Sequence, residues 1–238
     1  MRQPFSKLIF FLFFLISTAI SAQEYISQNV SDRWYQQGMD LLDKKKFGAA
    51  RESFERYITQ APSGQYATDA QYYAAYSAIR LYNLDGEAQM AQFLQEHGSH
   101  PKAIRANYEL GNFYFNEQRY DKVIEYFEKT DTRNLSMVEE ETRDFKLGYA
   151  YFTRKKFEEA KPLFDVLKNS ENPYRNAAYY YAGYIALENG EYNEALNDLR
   201  RIENDESYGK AVPYLIIIIL NQHGRYEQLK TFGEIILA

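Results

Sequence analysis

The chain has no cysteine. That one absence excludes disulfide staples, thiolate metal sites and thiol nucleophiles together. A basic excess is also missing, since 28 Lys+Arg stand against 33 Asp+Glu for a net charge of −5. Such a balance has nothing spare to neutralise a phosphate backbone, which speaks against general nucleic-acid binding. No P-loop, G-x-G-x-x-G, Gly-x-Ser-x-Gly or His-Glu-x-x-His string occurs, so no nucleotide cradle, hydrolase elbow or zinc-helix chemistry is indicated. The longest apolar stretch, Leu8–Ile20 at its most generous, is 13 residues, short of the roughly 20 that a spanning helix needs. What the chain has in quantity is aromatic: 23 Tyr and 16 Phe, within an apolar fraction of 45%. That fraction is enough to build a core and argues against wholesale disorder.

Residues 1–22 read as an address. Arg2 and Lys7 supply a basic start, Leu8–Ile16 is an unbroken apolar run, and Ile20-Ser21-Ala22 ends small. These are the three parts of a secretory signal, with cleavage expected between Ala22 and Gln23. The expected product is exported and soluble, with no cysteine at the cut to carry a lipid. Removing Arg2 and Lys7 leaves 26 basic against 33 acidic residues.

Laid against itself, the rest of the chain repeats. A small residue is followed nine residues later by Tyr or Phe, three later by Ala in most copies, and four later by an apolar residue. Gly38, Phe47, Ala50 and Phe54 set the pattern. Gly111, Tyr120, Val123 and Phe127 repeat it, as do Gly148, Phe157, Ala160, Phe164 and Gly183, Tyr192, Ala195, Leu199. Weaker copies run from Ala75 through Leu84 and Ala91, and from Ile217 through Tyr226 and Leu229. The anchors at 38, 75, 111, 148, 183 and 217 are spaced 37, 36, 37, 35 and 34 residues. Within each copy two apolar stripes of helical period are separated by a polar break such as Asn116–Arg119, which predicts two short antiparallel helices. The small anchors would let the two helices approach closely while aromatic rings fill the space around them. Pro162 is expected in the first turn of its helix, where a missing N–H costs least.

These copies resemble tetratricopeptide repeats. Trp34, Gly38, Phe47, Ala50, Phe54 and Pro62 follow the family's W-x2-L-G-x2-Y…A-x3-F…P string, and Leu110-Gly111 with Tyr114 and Leu147-Gly148 with Tyr151 match its first half. The resemblance covers about 31–238 and implies an all-α fold, a right-handed α-solenoid of antiparallel helix pairs. The expected organisation is a leader at 1–22, a short linker at 23–30, and an array of about six helix pairs at 31–238, the last incomplete. Phe93-Leu94 followed by His97-Gly98-Ser99-His100-Pro101 also resembles outer-membrane assembly and division-associated tetratricopeptide proteins.

The resemblance implies a function without catalysis. In such arrays the first helices of successive pairs line a concave face, and partner contacts come from positions one residue after the Trp and Gly anchors. Here those positions are Tyr35, Met39, Tyr108, Asn112, Phe145, Tyr149, Tyr180 and Tyr184, with Leu42, Phe115, Phe152 and Leu187 one turn on. Chaperone-binding members place a Lys/Asn set there to clamp a carboxylate; only Asn112 is in keeping, so a clamp is not expected. Tyr offers large area, a polar tip and little side-chain entropy to lose, which suits a protein or peptide segment as partner. Packing between neighbouring first helices is an equally good use of the same rings.

Other candidates read as structural. His97 and His100 are expected to be exposed histidines of a connection, and His223 to lie in the turn Asn221–Gly224. Glu139–Glu141 suits the start of a helix, and Lys44–Lys46 and Arg154–Lys156 suit solvated turns. No metal, cofactor or catalytic residue is indicated. The run Tyr214–Leu220 is apolar all round and so belongs inside something: further repeats, a partner, or a second copy through self-association. The leading expectation is a periplasmic or secreted scaffold that binds proteins. The alternative is the N-terminal part of a longer, self-associating envelope or secretion component, and an adaptor for a further catalytic domain comes third.

Overall fold

The computed structural model describes residues 30–237, and the predicted leader and linker lie outside them except for Val30, which is already helical. Twelve α-helices follow one another, with no strand among the described residues. The first pair is α1 (residues 30–43) and α2 (Phe47–Gln60), and the second α3 (Ala67–Arg80) and α4 (Gly86–His97). Then come α5 (Lys102–Asn116) with α6 (Tyr120–Glu128), and α7 (Met137–Thr153) with α8 (Phe157–Lys168). The last two pairs are α9 (Arg175–Glu188) with α10 (Tyr192–Arg200), and α11 (Val212–Gln222) with α12 (Tyr226–Leu237). The fold divides within α5 into two compact units, residues 1–106 and 107–238.

Each pair turns on one residue in the left-handed region: Lys45, Tyr82, Gln118, Lys155, Gly190 and Gly224, with φ between 55° and 76°. Every one of them stands seven residues after its sequence anchor, in the weak second and sixth copies as in the strong ones. The next helix starts within a few residues, so each pair is antiparallel. In the fourth, Phe152 meets Phe157 beside the turn, with centroids 5.6 Å apart, while Phe145 meets Phe164 further out at 6.4 Å.

The small anchors do what their spacing implies. A Cβ on Gly38 would lie 2.6 Å from the Phe54 ring, and on Gly111 2.5 Å from Phe127. On Gly148 it would lie 3.1 Å from Phe164, and on Gly183 2.9 Å from Leu199. All four partners are fully buried. The two weak copies solve the crossing differently. In the second, the glycine sits on the later helix: a Cβ on Gly86 would come within 2.8 Å of the Ile79 backbone nitrogen. In the sixth, the anchor is the large Ile217, and Gly233 of α12 makes no close approach, with open space beside its Cα.

Neighbouring pairs are tied by side chains from turn to turn. Arg51 of α2 grips Asp85 through two nitrogens, at 3.1 and 2.5 Å. Arg154 reaches Asp121 at 2.7 Å, and Arg225 reaches Asn193 at 2.5 Å. Deeper in the second unit Lys168 of α8 donates to Asp198 of α10 at 2.6 Å, both groups buried. α7 opens on a capping box in which the Ser136 hydroxyl accepts from Glu139 N–H and the Glu139 carboxylate accepts from Ser136 N–H. This supplies partners for two otherwise orphaned donors. Pro162 departs from expectation: it is the sixth residue of α8, one turn deeper than the position that spares a proline, and Glu158 loses its helical donor there.

Candidate functional site

The second unit carries a continuous aromatic face built from rings of α5, α6, α7 and α9. Phe115 meets Tyr149 edge-on at 5.7 Å, and Tyr120 meets the same ring at 5.7 Å. Tyr149 meets Tyr181 at 5.4 Å; Tyr181 then packs on Phe152 at 4.9 Å, and Phe152 on Tyr184 at 5.3 Å. Edge-to-face geometry of this kind adds roughly 0.5–1.5 kcal/mol per pair beyond area burial, so the face is stiff.

The predicted positions sort by burial. Tyr35 and Tyr108 are buried: Tyr35 stacks on Tyr66 at 4.3 Å, and Tyr108 tilts against Phe127 at 6.0 Å. Their rings serve packing, as the alternative reading allowed. Met39 is half-buried against the core of the first unit. Phe145 stacks on Tyr174 at 4.5 Å and Tyr180 on Tyr208 at 4.8 Å, each keeping part of its surface. Tyr149 and Tyr184 are also half-buried. The Asn112 amide donates to the Tyr108 carbonyl at 3.0 Å, and its oxygen accepts from Lys146 at 2.5 Å.

Three contributors escaped the sequence reading. Tyr181 touches six rings and is the hub of the face, and burial pushes its phenol well above the ordinary value. Its repeat position holds Gln36, Tyr73, Glu109, Lys146 and Leu215 in the other copies, so repeat spacing alone did not mark it. Lys146 lies over the Phe115 ring at 5.1 Å, and burial pulls its ammonium below the usual lysine value against the opposing charge of Glu109. Ile218 follows its anchor as Tyr184 follows Gly183, and it is 42% exposed. Between α9 and α11 an open cleft of about 420 Å³ is lined by Tyr184, Leu187, Tyr192, Leu215 and Ile218 together with Glu188, Asn189, Gly190 and Gln222. The all-apolar run thus divides: Ile216, Ile219 and Leu220 are buried, while Tyr214 at 71% and Ile218 stay open.

The histidines are less exposed than expected. His97 ends α4, with Nε2 2.8 Å from the Gln71 amide oxygen. His97 and His100 both rest against the Phe93 ring, at 5.3 and 6.1 Å. His223 caps α11 beside Tyr192 at 5.1 Å.

Sequence models of the tetratricopeptide repeat match residues 104–133 and 145–208. This is a tetratricopeptide-repeat protein. A third model, YfiO, described as an outer membrane lipoprotein, matches residues 27–115 and so takes in the Phe93–Pro101 string. Among solved structures the chain is similar to MamA from AMB-1, with a TM-score of 0.60 and 16% identity over 74% of this chain and 92% of that one. PilF from Pseudomonas aeruginosa aligns with a TM-score of 0.52 and 15% identity, over 87% of this chain and 90% of that one. A tetratricopeptide repeat protein from Parabacteroides merdae gives 0.56 and 14%, over 87% and 78%. At these identities the likeness is one of fold: all-α, built of solenoid-type helix pairs. No curated protein matches the chain.

Proposed function

We propose that this repeat protein is a non-catalytic scaffold of the bacterial cell envelope that holds a protein segment on the aromatic face of its second unit. The observation that carries the reading is the open cleft between α9 and α11, where the Tyr184, Tyr192, Leu215 and Ile218 side chains stand among Glu188, Asn189 and Gln222. A stiff ring surface loses little entropy on binding, and a cleft of mixed lining can seat one side chain of the partner while pairing its polar groups. The envelope assignment rests on the leader at residues 1–22 and on the YfiO match at 27–115. Within the described residues no helix is long and apolar enough to cross a membrane.

Selection of random peptides on the full chain tests the binding face. Peptides that compete for one site should carry a large apolar residue. Tyr184→Ala with Ile218→Ser should weaken them by about tenfold or more, a typical cost of losing a central anchor, while far-UV helicity stays intact. Equal affinity in that variant places binding elsewhere and sinks the proposal.

A further inference from the structure

The first unit carries a second, different surface. In five pairs the residue two places after the left-handed turn is aromatic and begins the second helix: Phe47, Tyr120, Phe157, Tyr192 and Tyr226. In the second pair it is Leu84, and α4 begins only at Gly86. The delay follows from Gly86 lying against the α3 backbone, and it throws Leu84 outward until it is fully exposed, with Tyr82 at 65% and Leu81 at 40% beside it. The other five turns are polar or glycine at the equivalents of Leu81 and Tyr82.

This apolar tip is set among cations. Arg80 lies over the Phe47 ring at 5.2 Å and Arg51 holds Asp85, so both flanks of the tip are fixed to the first turn of α2. Lys44, Lys45 and Lys46 immediately precede that turn and are exposed. Segments 44–46 and 80–84 contain no acid; of the acids at their borders, Asp85 is engaged by Arg51, and the exposed Asp43 offsets one of the three lysines. With the described residues, none of the three lysines forms an ion pair. An apolar, Tyr-bearing tip tied to a neighbouring turn of unpaired lysines on flexible stems is complementary to a layered surface with anionic charge outside and hydrocarbon beneath. A protein partner would need an acidic rim around a socket for a protruding leucine. Lysines free of any partner side chain fit diffuse charge better than that fixed geometry.

We propose that this edge rests on an anionic phospholipid surface, with Leu84 and Tyr82 entering the headgroup boundary and Lys44, Lys45, Lys46 and Arg80 facing lipid phosphates. Because the chain has no native cysteine, an environment-sensitive dye attached through Leu84→Cys reports this one site, and Asn116→Cys, on an exposed position, gives the control. In the full chain the apolar leader is common to every variant, so the readout is the dye and not total binding. With mixed phosphatidylglycerol–phosphatidylcholine vesicles the dye at position 84 should shift to the blue, and salt should reverse the shift. The control dye should not respond, and neither dye should respond to phosphatidylcholine alone. Lys44→Glu with Lys46→Glu should weaken the response by roughly tenfold or more. Equal responses at 84 and 116, a response to neutral vesicles, or one that survives charge reversal overturns the proposal. So does a response to an acidic protein with none to vesicles, which would assign the edge to a protein partner.

Discussion

At the scale of single residues, the glycines divide by what stands opposite them, and their substitutions should divide in the same way. Gly111→Ala drives a methyl into the buried Phe127 ring at 2.5 Å, whereas at Gly148 the ring is 3.1 Å away and has a few tenths of an ångström to give. Gly86→Ala meets backbone, which cannot rotate aside. Expected costs are about 1–3 kcal/mol at Gly86 and Gly111, smaller at Gly148. Gly233→Ala should instead stabilise by up to about 1 kcal/mol, since the added methyl enters open space within a helix. Thermal melts of the four variants test the ranking; an unchanged midpoint for Gly111→Ala would contradict the crossing it is said to permit. The strong anchors were legible in the sequence because glycine and its ring recur sixteen residues apart. The weak ones were not: the second pair moves the small residue to the other helix, and the sixth has Ile217 at the anchor with no tightly packed glycine opposite it.

Among elements, the ties between successive second helices matter most where they are buried. Lys168 and Asp198 are both below a tenth exposed, with 2.6 Å between charged atoms. Lys168 also pairs with Asp165 at 2.7 Å, and Asp165 has Lys161 at 3.3 Å as a second partner, so it is Asp198 that the loss of Lys168 strands. That costs about 3–5 kcal/mol, whereas replacing both members of a buried pair with apolar residues of similar size is often near neutral. Lys168→Met alone should therefore lower the urea midpoint strongly, and Lys168→Met with Asp198→Leu should recover most of it; no recovery would mean that the pair does more than satisfy its own burial. The exposed tie between Arg51 and Asp85 behaves differently. Arg51 holds the Asp85 carboxyl below its ordinary value of 3.8, so its contribution is present above that pH and is lost as pH falls through the lowered value. With Asp85 half exposed the effect is screened to about 1 kcal/mol at most. The stability gap between wild type and Arg51→Gln should narrow from pH 7 to pH 3; a constant gap would place Arg51's contribution in packing. None of these pairings could be read beforehand, since each joins residues about thirty positions apart through geometry that repeat spacing alone does not set.

For the whole molecule, the overall charge of −5 conceals a local basic edge, and the aromatic excess has two uses. Some rings, such as Tyr35 and Tyr108, close the core, while Tyr149, Tyr181 and Tyr184 form a face that is only partly closed. The helix pairing was legible in the chain because each pair is built from local contacts. The division of rings between packing and surface was not, because it depends on which neighbour covers each position. Tyr181 shows the limit: its repeat position carries polar and apolar residues alike, and its six ring contacts come from α7, α8, the adjacent Tyr180 and the segment before α11. The claim that the open part of this face holds a protein segment is tested most directly by site-specific photocrosslinking in cells. The crosslinker is placed at Tyr184, at Ile218, and at Val166, an exposed position on α8. One discrete protein adduct is expected from Tyr184 and Ile218, and none from Val166. The same adducts from all three positions, or none from the first two, would contradict the claim.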